Sequence, residues 1–302
     1  MKLARTKPNV IIVGSINMDF VVTAEKWPSP GETMVARKFD IFPGGKGANQ
    51  AVASARACAN VTFIGAVGSD NLGREAIKHL KSQEINTENI LVKDNATTGK
   101  AIVTVVNGEN SILINEGANG RLTVKDIVGL SHLIAEADIV LMQNEIPNLV
   151  QEQVVDICQL HCIPVVYNPA PARKLTRHFL ENITYLTPNE HEYKTIFSTD
   201  EPLIRDFHSK VIQTKGANGI EYWQNHSLQK MAGIKVDTVD TTGAGDTFNG
   251  VLTVELARGA TIHDAIETAN IAASISVQKN GAQQGMPTQS EISKARKQLE
   301  IF

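Results

Sequence analysis

The densest chemistry in the sequence lies in Asp240-Thr241-Thr242-Gly243-Ala244-Gly245-Asp246-Thr247-Phe248. Two glycines one residue apart stand directly before a segment patterned as a helix. Glycines there let successive backbone N–H groups converge, and a helix N-terminus adds partial positive charge. Such a turn makes an anion hole for a phosphate that gains charge in a transition state. Asp246 beside it is placed to take the proton of an attacking hydroxyl. The same residues also read as a flexible turn closed by an N-capping aspartate. Spacing excludes two other nucleotide sites. Phe248 stands where a dinucleotide fingerprint needs its third glycine, and no G-x-x-x-x-G-K-[ST] occurs in the chain.

Two further segments carry polar groups at useful spacing. Gly44-Gly45-Lys46-Gly47-Ala48-Asn49-Gln50 opens a second helix, where Lys46 and Asn49 could face a polyhydroxy ligand. A diglycine before an alanine-rich helix is equally a packing device. Gly14-Ser15-Ile16-Asn17-Met18-Asp19 ends the first strand. Asn17 and Asp19, two apart on a strand, point to one face, where an amide and a carboxylate can bond neighbouring hydroxyls. An Asx-rich turn leaving a strand is the alternative.

The elements that must position these groups follow from hydrophobic periodicity. Short apolar runs at Val10–Ile16, Val61–Val67, Ile139–Gln143, Pro164–Tyr167, Ile183–Leu186 and Lys210–Thr214 read as core strands. Amphipathic stretches at Gly47–Cys58, Leu72–Ser82, Leu149–Leu160, Thr247–Arg258 and Ile262–Lys279 read as helices. That alternation predicts an α/β fold with a mostly parallel sheet between helical layers. Two stretches break the rhythm: Phe20–Thr23 with Thr33–Ala36, and Ala101–Val106 with Ser111–Asn115. They read as hairpin strands of a small sheet that projects from the α/β body as a lid.

Composition bounds the class. The chain has 302 residues, 42% hydrophobic and 20% charged, and its net charge of −3 disfavours nucleic acid or an anionic membrane as main partner. No stretch approaches the length of a membrane span, and Met1 to Pro8 lacks the apolar core of a signal peptide. Cys58, Cys158 and Cys162 form no zinc or disulfide framework, so they read as buried free thiols of a reducing, cytoplasmic compartment. None of the eight histidines falls in a motif.

Taken in order, the three segments resemble the two signatures and the sugar-binding strand of the ribokinase-like (phosphofructokinase-B type) family of sugar and nucleoside kinases. Gly108-Glu109-Asn110, Gly117-Ala118-Asn119, Asn168-Pro169-Ala170-Pro171-Ala172, Thr187-Pro188-Asn189-Glu190 and Gly281-Ala282-Gln283 extend the likeness over nearly the whole chain. The resemblance implies one kinase domain over residues 1–302, three-layer α/β/α with a projecting β lid from about 18–40 and 98–117. It implies ATP-dependent phosphorylation of a sugar at a primary hydroxyl, D-ribose before deoxyribose, fructose or a nucleoside; a silent sugar-binding protein is the alternative from another class. By the family pattern Asp246 would be the base and the N–H groups of Gly243, Ala244 and Gly245 the anion hole. Asn17, Asp19, Gly44, Gly45, Lys46, Asn49 and Glu145 would bind sugar. Asn189, Thr214, Lys215, Gly216, Gly219, Gly245 and Asn270 would line ATP. Asn189 and Glu192 would act on Mg2+ through water, and Asp240, Thr242, Ser276, Lys279, Gly281 and Gly285 would hold a monovalent cation such as K+. A homodimer through the lid sheets is also implied. The chain departs from the pattern between Asn189 and Thr214, where it is shorter and Phe197–Pro202 shows no clear helical pattern.

Overall fold

In the computed structural model, residues 7–107 and 109–299 are described; Gly108 and the first residues of the N-terminus lie outside them. The chain begins with β1 (Asn9–Val13), β2 (Asn17–Ala24), β3 (Lys38–Gly44), α1 (Lys46–Arg56), β4 (Asn60–Gly68), α2 (Asn71–Ser82) and β5 (Ile90–Lys93). It continues through β6 (Gly99–Val106), β7 (Glu109–Asn115), α3 (Val124–Gly129), α4 (Ser131–Glu136), β8 (Ile139–Gln143), α5 (Asn148–Leu160) and β9 (Val165–Asn168). The remainder is α6 (Arg177–Asn182), β10 (Tyr185–Leu186), α7 (Glu190–Phe197), α8 (Glu201–Phe207), β11 (Ile212–Thr214), β12 (Ile220–Gln224), β13 (Ser227–Met231), α9 (Ala244–Ala257), α10 (Ile262–Ser276) and α11 (Gln289–Leu299).

Six strands form a parallel sheet in the order β10-β9-β8-β1-β4-β5. Their near-continuous apolar runs are buried on both faces, as parallel strands require. Alternation along β1 splits the core. Val10 and Ile12 pack with α1, α9 and α10, whereas Ile11 and Val13 pack with α5, α6 and α7. An antiparallel sheet β11-β12-β13 continues beyond β10, joined by the bridges Leu186↔Val211 and Asn189↔Thr214. The lid is a four-stranded sheet in the order β3-β2-β6-β7, with β2 and β6 parallel and both outer pairings antiparallel.

Four expectations need correction. The partner of β2 is Lys38–Gly44 and not Thr33–Ala36, which lies in the connecting loop. Pairing Asn17 with Gly44 lets β3 run directly into α1, a continuity that the alternation of Thr33–Ala36 concealed. Helix α9 starts at Ala244, three residues earlier than periodicity suggested, because Gly243 in the left-handed conformation is itself the cap. Only Cys158 is buried; Cys58 and Cys162 are exposed, each at positive φ just past a helix C-terminus. Finally, Phe197–Pro202 is not irregular: Phe197 ends α7, Ser198 and Thr199 turn, and Asp200 caps α8 by accepting from Leu203 N–H, with Pro202 in the first turn.

Candidate active site

The loops at the C-terminal ends of β1, β8 and β9 meet the start of α1 and the lid, the place where parallel α/β sheets bind ligands. Asn17 pairs with Gly44 across the lid sheet, so the sugar-facing strand and the N-terminus of α1 are one continuous surface. Gly45 has φ +90°, and a Cβ there would stand 2.7 Å from Asn17 N, so this approach admits glycine only. A Cβ on Gly44 would meet the Asp19 carboxylate at 2.2 Å. Asn119 Nδ2 donates to Asn17 Oδ1 at 2.8 Å and to Ile16 O at 3.1 Å, while its Oδ1 accepts from Ile16 N. With its oxygen so engaged, Asn17 has its NH2 hydrogens left to offer a ligand. A cavity of about 140 Å3 opens here, lined by Asn17, Ile114, Glu116, Asn119, Asn144, Glu145 and Pro171.

Beside it, four charged side chains crowd together. Glu145 accepts from Ser15 Oγ at 2.5 Å and from Lys46 N at 3.1 Å, and its Oε1 lies 3.9 Å from Lys46 Nζ. Burial, with Glu145 and Asp246 adding repulsion and Lys46 opposing, pushes the Asp19 carboxyl up to about 7. Burial would lower Lys46, but the carboxylates of Asp246, Glu145, Glu192 and Asp19 outweigh it and hold the amine above its ordinary value. Lys46 is therefore a fixed positive charge among carboxylates.

Asp246 sits in the first turn of α9 and is only 9% exposed. Its Oδ2 accepts from Asn49 Nδ2 at 2.9 Å and its Oδ1 from Gln50 Nε2 at 3.0 Å. Burial raises its pKa, opposed by Lys46 and these two amides. Gly243 has φ +79°, and a Cβ on it would lie 2.8 Å from Ala282 Cα. The first-turn N–H groups of a helix lack intrahelical partners. That of Ala244 is turned back to Thr241 O at 3.2 Å.

The loops around α9 are stitched to those after α10. Asp240 accepts from Thr242 N and Oγ1 at 2.9 and 2.6 Å and from Gly281 N at 2.8 Å. Burial would raise its carboxyl, but these hydrogen bonds prevail and lower it. A Cβ on Gly285 would meet Ser276 O at 2.2 Å, so that carbonyl abuts the same loop. The structure thus brings Asp240, Thr242, Ser276, Gly281 and Gly285 together. The Lys279 amine lies 3.7 Å from Glu291, so only its backbone carbonyl could serve a cation here.

On the other flank, Thr214 bridges Asn189, and the turn after it closes through Lys215 N to Gly219 O at 2.8 Å. Gly216 and Gly219 both have positive φ; a Cβ on Gly219 would meet Met231 O at 2.0 Å. Asn270 Nδ2 donates to the neighbouring Ala232 O at 2.9 Å, which places Asn270 at this turn. Lys215 is engaged with Glu221 at 2.5 Å. Asn189 and Glu192 form a reciprocal capping box at the start of α7, both bonds 2.8 Å. Glu192 is 6% exposed, so it is neither a solvated helix charge nor an open metal ligand. Burial raises its pKa, opposed by Asn189 N–H and Lys46. Among the described residues no group of three or more acidic, His or Cys side chains could cage a metal. Glu192 with Asn189 is the carboxylate–amide pair at this end of the site that could meet Mg2+ through water.

Sequence reasoning passed over the residues that hold these groups. Gln50, fully buried, bonds Asp246, Asn168 Oδ1 and Gln143. Ser15 fixes Glu145, and Gln283 donates to Asn49 Oδ1. Gln50 and Gln283 lie inside two of the motifs, so a buried amide next to a buried carboxylate was the available signal.

Comparison with known proteins agrees with this geometry. Residues 7–289 match the model described as pfkB family carbohydrate kinase. A ribokinase of Lactococcus lactis is 41% identical over 295 residues, covering 97% of this chain and 98% of that one. A ribokinase of Bacillus subtilis is also 41% identical, over 286 residues, covering 94% and 98%. Among solved structures, Arabidopsis thaliana ribokinase complexed with ribose and ATP superposes with TM-score 0.87 at 29% identity, covering 96% of this chain and 99% of that one. A glycine-capped helix that buries a carboxylate, a sugar-sized cavity under a β lid and a match over residues 7–289 together carry one conclusion: the chain belongs to the pfkB family of carbohydrate kinases.

Proposed function

We infer that this protein is a ribokinase, transferring the γ-phosphoryl group of ATP to the primary 5-hydroxyl of D-ribose. The observation that carries the reading is the buried Asp246, held by two amides on the helix turn that also presents the anion hole. It is supported by 41% identity to ribokinases over almost the whole chain.

The chain's own groups divide the work. Asn17, Asp19, Asn49, Lys46 and Glu145, over the backbone of Gly44 and Gly45, bond the sugar hydroxyls. Asp246 accepts the 5-hydroxyl proton as that oxygen bonds to the γ-phosphorus and the bond to the ADP oxygen breaks. N–H groups of Gly243, Ala244 and Gly245 receive the charge that grows on the phosphoryl oxygens. The Ala244 N–H must leave Thr241 O to do so. The turn from Thr214 to Gly219, with Asn270, forms the nucleotide edge, and Asn189 stands at the phosphate end. Glu192 and Asn189 would hold Mg2+ through water, where the ion would neutralise charge on the phosphates. A monovalent cation beside Asp240, Thr242, Ser276, Gly281 and Gly285 would brace the loops that shape the anion hole. Lys279 would take part through its backbone carbonyl, its amine being turned to Glu291.

We propose further that residues 1–302 act as one kinase domain in the cytoplasm and that two copies pair through their lids. Among the described residues no helix is long and apolar enough to cross a membrane.

A coupled ADP-release assay with ATP, Mg2+ and K+ against ribose, deoxyribose, fructose and adenosine tests the reading. Ribose should be turned over fastest, Asp246→Asn should lose about 10²- to 10⁴-fold in kcat, and omitting K+ should lower the rate. Faster turnover of another acceptor would remove the ribose assignment. Full activity in Asp246→Asn would remove the base.

A further inference from the structure

A chain of hydrogen bonds enters the site from α2, and the phosphoryl transfer described above makes no use of it. His79 Nε2 lies 2.6 Å from Gln283 Oε1; Gln283 Nε2 donates to Asn49 Oδ1 at 2.8 Å; Asn49 Nδ2 donates to Asp246 Oδ2 at 2.9 Å. The three bonds fix one another's direction. An ionised carboxylate only accepts, so Asn49 must present its NH2 to Asp246 and leave its oxygen to accept. Gln283 must then offer its NH2 to Asn49 and its oxygen to His79, whose Nε2 carries the hydrogen. Gln283 and Asn49 are both buried, at 4% and 6% exposure, so water does not compete for these positions.

The side chain of Gln283 is not what holds its loop. Arg56 Nη1 donates to the backbone carbonyls of Gln283 at 2.6 Å and Met286 at 2.8 Å, and Arg56 is itself fixed by Gln83. Gly281 N ties the other end of the loop to Asp240. The loop is thus anchored through its backbone, and both polar atoms of the Gln283 carboxamide face the relay.

We propose that Gln283 is a positioning residue for phosphoryl transfer, locking the Asn49 amide with its NH2 toward Asp246, and that His79 holds Gln283 in turn. The proposal rests on the reading of Asp246 as base. Without Gln283, the Asn49 carboxamide is held by Asp246 alone and its oxygen loses its donor, so its NH2 is fixed less firmly against the carboxylate. Asn49 would also lose the orientation in which it meets sugar.

The test compares wild type, Gln283→Met, Gln283→Glu and His79→Phe. Met keeps the volume without the amide; an ionised Glu keeps the acceptor for His79 but has no donor for Asn49. Both Gln283 variants should lower kcat by about 10- to 100-fold, the scale of a misplaced reacting group. ATP KM should stay near wild type, and the acid limb of the kcat–pH profile should move to higher pH. His79→Phe should show the same change, weaker. Wild-type kcat in Gln283→Met, or a lower kcat with an unmoved acid limb, overturns the proposal. Asp246 carboxyl 13C titration by NMR reads the relay without turnover. An upward displacement in Gln283→Met supports it and an unchanged curve overturns it, even if wild type fails on ribose and the kinase reading itself falls.

Discussion

Asp19 sits in surroundings that disfavour its charge. Its carboxyl is pushed up to about 7, first by burial and then by Glu145 and Asp246, with Lys46 opposing. An unfolded aspartate titrates near its ordinary value, 3.8, so the folded state binds the proton more tightly than the unfolded one. The resulting stability is fully present below the unfolded value and is lost as pH rises through the folded one. Ligand-free Asp19→Asn should therefore be more stable than wild type near pH 8, by on the order of a few kcal/mol, and the advantage should fade toward about pH 4. Thermal melts across that range check it; a pH-independent difference would remove carboxylate burial as the cause. What the sequence could not show at this scale was partnership. Asn17, Asp19 and Asp246 were legible from spacing, but Asn49 meets Gln283 across 234 residues, and no local pattern encodes that bond. The N-x-x-E of Asn189 and Glu192, by contrast, has the spacing of a capping box, a local signal that the kinase pattern overshadowed.

At the scale of elements, the start of α9 matters most. Gly243 caps it in the left-handed conformation with Ala282 pressed against its Cα. Gly243→Ala adds about 1–2 kcal/mol of backbone strain and forces the Ala282 loop to move. We expect kcat to fall by about 10²-fold with ribose KM little changed, read by steady-state kinetics; loss confined to KM would contradict a role in the anion hole. Strand and helix positions were legible where apolar runs were long, as in β4 and β8. The β2–β3 pairing was not, because Thr33–Ala36 and Lys38–Gly44 both suit a hairpin, and only the continuity of β3 into α1 selects the second.

For the whole molecule, the lid has two unlike faces. Laterally paired residues share a face, so Ile41, Phe20, Ile102 and Leu113 form one row, with Phe39 beside it. Asp19, Ala101 and Ile114 form a row on the other face, toward the cavity. On the outer face Phe39, Ile41, Ile102 and Leu113 are each between 45% and 70% exposed. An apolar sheet face of this kind marks an interaction surface. We expect sedimentation to give a dimer for wild type and a monomer for the double variant Ile102→Glu, Leu113→Glu; a dimer in the variant would place the interface elsewhere.

The proposed base and anion hole occupy a single helical turn, from Gly243 to Asp246. Their separation is consequently set by covalent geometry and the pitch of a helix, and not by how two loops happen to dock. Breathing of the lid or of the nucleotide edge can delay capture of either substrate, yet it leaves the acceptor of the proton and the cradle of the phosphoryl group in constant register. Warming such an enzyme should disturb encounter before it disturbs alignment.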